Sequence, residues 1–274
     1  MKAAHFDYAR ARDAAHAVSL LEQAHGYAKP IAGGQSLGPM LNLRLARPEL
    51  LVDIRRCTDL RGVRDEGDAL VYGAAVTHAE IEDGHVPDAT PGWLACAARQ
   101  IAYRAVRNRG TMGGSVAHAD PAADWLCVLL ALNAEAIVQS AAGTRAMRLS
   151  EFVVGPFATQ LAADEILIGL RVARRSDNAR WGYCKLAAKH GEFARAFAVV
   201  LDDPQRGERR AVSGAVERVP VIHDDAPALI DGDVSAAALI ESALPALDPA
   251  SRSLHSCALS RALAPAAAPS GGWR

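Results

Sequence analysis

Two stretches of this chain hold residue types suited to ligand chemistry. Ile31–Met40 reads IAGGQSLGPM, and Arg107–Asp124 reads RNRGTMGGSVAHADPAAD. Glycine lets a ligand approach the backbone and tolerates positive φ, so glycine turns can form nests of N–H donors for anions. Gly33 and Gly34, with Gln35 and Ser36 beside them, fit that description. Gly113 and Gly114, flanked by Thr111 and Ser115, fit it again. Two such stretches suit a diphosphate better than a single phosphate, and we expect them to serve one ligand. Either one alone reads equally well as a tight turn. Neither carries the GK[ST] of a P-loop, and neither is a GxGxxG following a first strand.

The polar residues behind the second stretch have two readings each. Asp120 could cap a helix that has Pro121 at its first position. Asp124, one turn later, could reach a ribose or a base, or could be a first-turn acid favoured by the helix dipole. His118 could lie beside a ligand or be structural. No His, Cys, Asp or Glu set has metal-ligand spacing, so no metal site is expected. Ser36 and Ser115 lack a G-x-S-x-G elbow, and no acid–base pair stands beside the glycines, so no catalytic residue is expected.

Elements must position these stretches. Asp13 precedes apolar residues at helical spacing (Ala14, Ala17, Val18, Leu21), which predicts a helix ending near Gly26. KPIAGG predicts a strand entering the first glycine stretch, PMLNLRLA a helical turn or two, and LLVDI a strand. Strand ALVYGAAV, a helix from Thr77 and helix WLACAARQI lead to the second stretch. DPAADWLCVLLALN predicts a buried helix, followed by strands AEAIVQS and EILIGLRV. Polar RVARRSDNAR marks a boundary. Beyond it come strands WGYCKLA, AFAVVL and RAVSGAV, then helices SAAALIESALPAL and LHSCALSRAL, with a frayed tail APAAAPSGGWR. Three units are expected: residues 1–56, 57–174 and 175–274.

Bulk properties exclude several classes. With 274 residues, 50% hydrophobic and 22% charged, the chain can bury a sizeable core. A net charge of −1 argues against a nucleic-acid partner held by phosphate attraction. The longest apolar run, WLCVLLAL, is too short to span a bilayer, and the N-terminus has no secretory h-region. The five cysteines are scattered with no CxxC or CxxH spacing, so no iron–sulfur or zinc site is expected on this chain. Reduced core thiols in a cytoplasmic protein are the expectation.

AGGQSLGPMLNLRLARPELLVDI and VRNRGTMGGSVAHADPAAD together resemble the FAD-binding medium subunit of molybdenum hydroxylases, the xanthine dehydrogenase and carbon monoxide dehydrogenase family. KLAAKHGEFARAFAVVLDDP resembles the segment that opens the family's C-terminal domain. The resemblance implies an α+β architecture: a two-subdomain FAD-binding fold of the vanillyl-alcohol-oxidase type, followed by a smaller α+β domain. It implies FAD, with Ala32, Gly33, Gly34, Gln35, Ser36, Thr111, Gly113, Gly114 and Ser115 around the pyrophosphate; since neither loop holds a cysteine and His118 matches no covalent-histidine motif, a non-covalent link is expected. Leu37, Ile101, Gly110, His118, Asp120 and Ile168 are further implied cofactor neighbours. Asp124 matches an adenosine-side position, and Lys185 and Phe193 match positions at the flavin end. Phe193 stands where the family often has Tyr, Ala188 where it often has Arg, and Gln35 replaces a common His. The resemblance further implies a large molybdenum-cofactor subunit and a small subunit with 2Fe-2S clusters, arranged as a dimer of heterotrimers. A self-contained FAD oxidase and a cofactor-free scaffold with the same fold are the rival readings.

Overall fold

The computed structural model describes residues 2–267. Three parallel strands open the chain: β1 (Asp7–Arg10), β2 (Ala28–Ile31) and β3 (Leu50–Asp53), in the order β1-β3-β2. Helix α1 (Ala14–Glu22) is capped by Asp13, whose side chain accepts the His16 amide at 2.7 Å, and it ends before the expected Gly26. Helix α2 (Leu37–Asn42) follows the first glycine stretch. All three strands run the same way, so the stretch leaves the sheet at its carboxyl edge, where ligands of open parallel sheets bind. Tyr8, Asp53 and Arg55 tie that edge together: the Tyr8 hydroxyl donates to Asp53, and Arg55 pairs with Asp53 at 3.0 Å.

The next sheet has the order β4-β5-β10-β6-β7 and is antiparallel at each pairing. Its strands are β4 (Val63–Asp65), β5 (Ala69–Gly73), β6 (Glu135–Ser140), β7 (Gly143–Arg148) and β10 (Ile166–Ala173). Between them lie α3 (His78–Glu82), α4 (Trp93–Gln100), α5 (Arg104–Arg107), α6 (Met112–His118), α7 (Asp124–Ala131), α8 (Leu149–Phe152) and the small hairpin β8 (Val153–Gly155) with β9 (Ala158–Thr159). Thr77 and Glu80 form the capping box that starts α3. All eight residues of α7 are buried, as befits a helix that is apolar nearly all round.

The last sheet is β11 (Arg180–Leu186), β12 (Ala196–Asp203), β13 (Glu208–Gly214) and β14 (Val221–His223), in sequence order and antiparallel. Helices α9 (Ala226–Asp231), α10 (Ala236–Ala243) and α11 (Pro249–Ala267) cover one face. Gly182 lets α11 lie directly on β11, because a Cβ there would meet the Ala262 backbone. The other face of this sheet supplies Phe197, Val199, Leu201 and Val212 to the core built by α4, α7 and the five-stranded sheet. Helix α7 is therefore wedged between two sheets.

Several expectations need correction. Asp120 does not cap α7: Ala123 holds the N-cap position, and Asp120 accepts the Ala122 amide at 2.9 Å, closing a tight turn instead. The second glycine stretch, expected as a loop, turns helical at Met112, with the Thr111 side chain capping α6. Tertiary packing overrides the low helix propensity of glycine there, since a Cβ on Gly113 would stand 2.6 Å from Ala74 Cα. Ala264–Ala267 continues α11 rather than fraying, and residues 268–274 of the expected tail lie outside the described residues. β1, β4, β7, β14 and α9 carried no strong periodicity. β7, for example, is an edge strand with five of its six residues exposed.

Candidate functional site

The two glycine stretches touch. A Cβ on Gly33 would stand 2.6 Å from the Arg109 carbonyl carbon and 2.7 Å from Gly110 Cα, so only glycine allows this approach. Gly110 in turn lies against His78, whose Nδ1 accepts the Trp125 indole N–H at 3.0 Å. Burial, aided by Arg107, pushes His78 down to about 3, so it is neutral and its ring is locked by Trp125. The second stretch is thus clamped from both sides.

The stretches differ in what they offer a ligand. In the first, Gly34 has φ +70°, and the amides of Gly33, Gly34, Gln35 and Ser36 donate to no acceptor among the described residues. Four consecutive free donors beside an open glycine make a nest that fits a diphosphate. The Gln35 side chain folds back to donate to Gly33 O at 3.1 Å. In the second stretch the amides are used up: Met112 donates to Val76 O, Gly113 to Ala74 O, Gly114 to Thr111 Oγ1 and Ser115 to Thr111 O. What that stretch presents is the exposed backbone of Gly114, facing Ala32, and the half-buried Ser115. Gly113 faces the core and is a packing glycine.

A polar group lies beyond the loops. Asp124, 6% exposed at the start of α7, pairs with Lys185 Nζ at 3.0 Å and accepts the Tyr183 hydroxyl. Lys185 also donates to Gln100 O at 3.2 Å, next to Ile101 at the end of α4. Burial pushes the Asp124 carboxyl above its ordinary range, while Lys185 and Tyr183 pull it down. Burial, reinforced by Asp124, pushes the Tyr183 hydroxyl well up. Asp124 and Lys185, expected at opposite ends of a cofactor, are bonded to each other. The sequence reading missed Tyr183, although its place two residues before Lys185 on one strand face was a usable signal.

The remaining expected residues scatter around these features. Phe193 is 67% exposed, in the turn between β11 and β12, and Tyr103 is exposed as well, its ring 6.5 Å from that of His190. His118 ends α6, half-buried, with its ring 5.1 Å from that of Phe157, and burial lowers its pKa. Leu37 begins α2 and packs beside the small cluster around Leu41. Ile168 sits where β10 slips register against β6, accepts the Ala74 amide at 2.9 Å and lines a cavity of about 510 Å³ with Arg61, Val71 and Ile137. Among the described residues no His/Cys/Asp/Glu group could hold a metal ion, and no helix is long and apolar enough to cross a membrane. Cys57 and Cys127 are buried and the other three cysteines half-buried, all free.

Residues 4–174 match the model of the FAD binding domain in molybdopterin dehydrogenase. The chain belongs to this family. It is 39% identical over 211 residues to the nicotine 6-hydroxylase medium subunit of Paenarthrobacter nicotinovorans, covering 76% of this chain and 74% of that one. It is 37% identical over 196 residues to the carbon monoxide dehydrogenase medium chain of Hydrogenophaga pseudoflava, covering 72% and 68%. Among solved structures, carbon monoxide dehydrogenase from H. pseudoflava, in a form lacking the Mo-pyranopterin moiety, superposes with a TM-score of 0.88 at 30% identity over 97% of this chain and 98% of that one. Quinoline 2-oxidoreductase from Pseudomonas putida 86 gives a TM-score of 0.87 at 30% identity, over 97% and 98%. The chain is a medium, FAD-binding subunit of the molybdenum hydroxylase class, and its α+β fold is the one expected.

Proposed function

We propose that this subunit holds FAD non-covalently and relays electrons from iron–sulfur clusters of a small partner to an external acceptor. The observation that carries the proposal is the first-stretch nest, four free amides wide, abutting the second stretch through Gly33. In this reading the nest binds the pyrophosphate and Gly114 lets the ligand lie close. The Asp124–Lys185–Tyr183 group faces the flavin end, with Ile101 and Phe193 nearby. The isoalloxazine supplies the redox chemistry when bound; the chain's own residues bind, orient and shield it. A large subunit would carry the molybdenum cofactor and the substrate, the whole forming a cytoplasmic dimer of heterotrimers. The chain would be organised as units 1–56, 57–174 and 175–274.

The test is anaerobic flavin absorbance with each subunit omitted in turn. The chain alone should hold FAD that dithionite reduces, yet no aldehyde or N-heterocycle should bleach it. Adding the large and small subunits should make that bleaching substrate-dependent. Rapid bleaching by substrate with this chain alone would favour a self-contained oxidase, and a chain that binds no flavin would favour a scaffold.

A further inference from the structure

Two arginines come together where the C-terminal sheet meets the rest of the chain, each with a buried donor that nothing in the chain accepts. Arg175 lies in the polar link from β10 to β11, its side chain only 1% exposed. Its guanidinium is fixed: Nε donates to Ala173 O at 3.1 Å, Nη1 pairs with Glu208 at 2.6 Å, and Asp203 stands 3.9 Å from Nη1. Nη2, on the same planar fork, is buried and has no partner. Arg210 follows Glu208 by two residues on β13, so the two side chains leave the same face of that strand. The Arg210 Nε is likewise buried without a partner, and its guanidinium forms no ion pair among the described residues. The opposite face of β13 shows the contrast: there Arg209 pairs with both Asp202 and Asp231.

The charges around these donors do not balance. Arg148, exposed at the start of α8 and bonded to Asn133 at 3.2 Å, acts on Arg210 with the same sign as Arg175. Burial lowers the Arg210 pKa; Glu208 opposes this, and Arg148 and Arg175 add to it. Glu208 is shared with Arg206 at 3.6 Å, and Asp203 accepts the Ser176 amide and hydroxyl. Four guanidiniums thus face two carboxylates that are already bonded. A water would accept the orphan N–H groups but leave the cations repelling one another. An anion accepts both and cancels the repulsion, through charge-assisted bonds. Both donors are buried, which suits a small spherical ion. We infer that a small monovalent anion of chloride's class binds between Arg175 Nη2 and Arg210 Nε and fastens the C-terminal sheet to the link that precedes it.

The experiment is thermal unfolding of the full-length chain, with chloride replacing gluconate at constant ionic strength. The parent's Tm should rise saturably, by roughly 2–5 °C at a tenfold excess of chloride over its Kd. Arg210→Met removes one donor and one of the repelling charges. In gluconate it should melt no lower than the parent, and chloride should leave its Tm unchanged. Arg209→Met, on the opposite face of β13, is the control and should keep the chloride response from a lower baseline. Bromide soaked into crystals of the chain should give an anomalous peak within bonding reach of Arg175 Nη2 and Arg210 Nε. A parent indifferent to chloride overturns the inference in favour of a bridging water. An equal rise in Arg210→Met overturns it as well, since that variant leaves the glycine nest and every other anion site intact.

Discussion

Gly33→Ala is the sharpest perturbation of the joint between the two glycine stretches. The new Cβ would run into the Arg109 carbonyl oxygen and stand 2.6 Å from its carbon, where ordinary contact begins at 3.4 Å, so the backbones must part by more than about 0.8 Å. No flexible side chain can absorb this, because the atoms met belong to Arg109 and Gly110 backbone. Gly110 cannot retreat freely either, being pressed against the locked His78 ring. Overpacking of this kind costs about 1–3 kcal/mol. If the strain is released by opening the joint, the nest and the Gly114 surface no longer meet one ligand. FAD affinity should then drop by roughly 5- to 100-fold, at about 1.4 kcal/mol per decade. Gly38→Ala is the control: a Cβ there has nothing within 4 Å, and Gly38 lies inside α2, so the variant should bind FAD normally and melt no lower. The assay is titration of the flavin-free chain by fluorescence quenching, with thermal unfolding alongside. Gly33→Ala that binds FAD as tightly as the parent, with the parent's Tm, would refute the reasoning.

Other outcomes follow from the same structure. Lys185→Met leaves the buried Asp124 carboxylate without its cation and should cost about 3–5 kcal/mol in urea unfolding, whereas an exposed-pair variant such as Arg64→Met should cost under about 1. His223, buried against Ser213, is pushed down to about 4 from 6.5, chiefly by burial, so the unfolded chain binds its proton first. That stability is complete above pH 6.5 and lost as pH falls through 4, by about 3 kcal/mol, and His223→Asn should flatten the acid limb of a stability–pH curve. Acid precipitation of the flavin-loaded chain should leave the yellow colour in the supernatant; a yellow pellet with flavin mass on a peptide would contradict a non-covalent link.

The glycine pairs, the polar residues beside them and the main strands were legible because backbone exposure and hydrophobic periodicity are local. What each glycine does was not. Gly33, Gly110 and Gly113 serve close packing, Gly114 leaves room for the capping Thr111 hydroxyl 2.8 Å from where its Cβ would stand, and Gly34 stays open, yet all five look alike in sequence. The helix at Met112 was hidden because its stability comes from Ala74 and Val76, nearly forty residues away. The Asp124–Lys185 pair joins positions 61 apart, and nothing local announces it. Asp120 misled because an Asp before Pro caps a turn as readily as a helix.

The wedge of α7 between two sheets has a practical consequence for anyone dividing this chain. A fragment ending near residue 174 looks self-sufficient by sequence, since both glycine stretches lie within it. It would uncover the face of α7 that packs on Phe197 and Val199, and it would strand the Asp124 carboxylate without Lys185 or Tyr183. Such a fragment would be an open half-mould with one wall missing. The C-terminal sheet is the wall against which the cofactor-binding part sets, and the two are expected to be expressed, folded and engineered as one body.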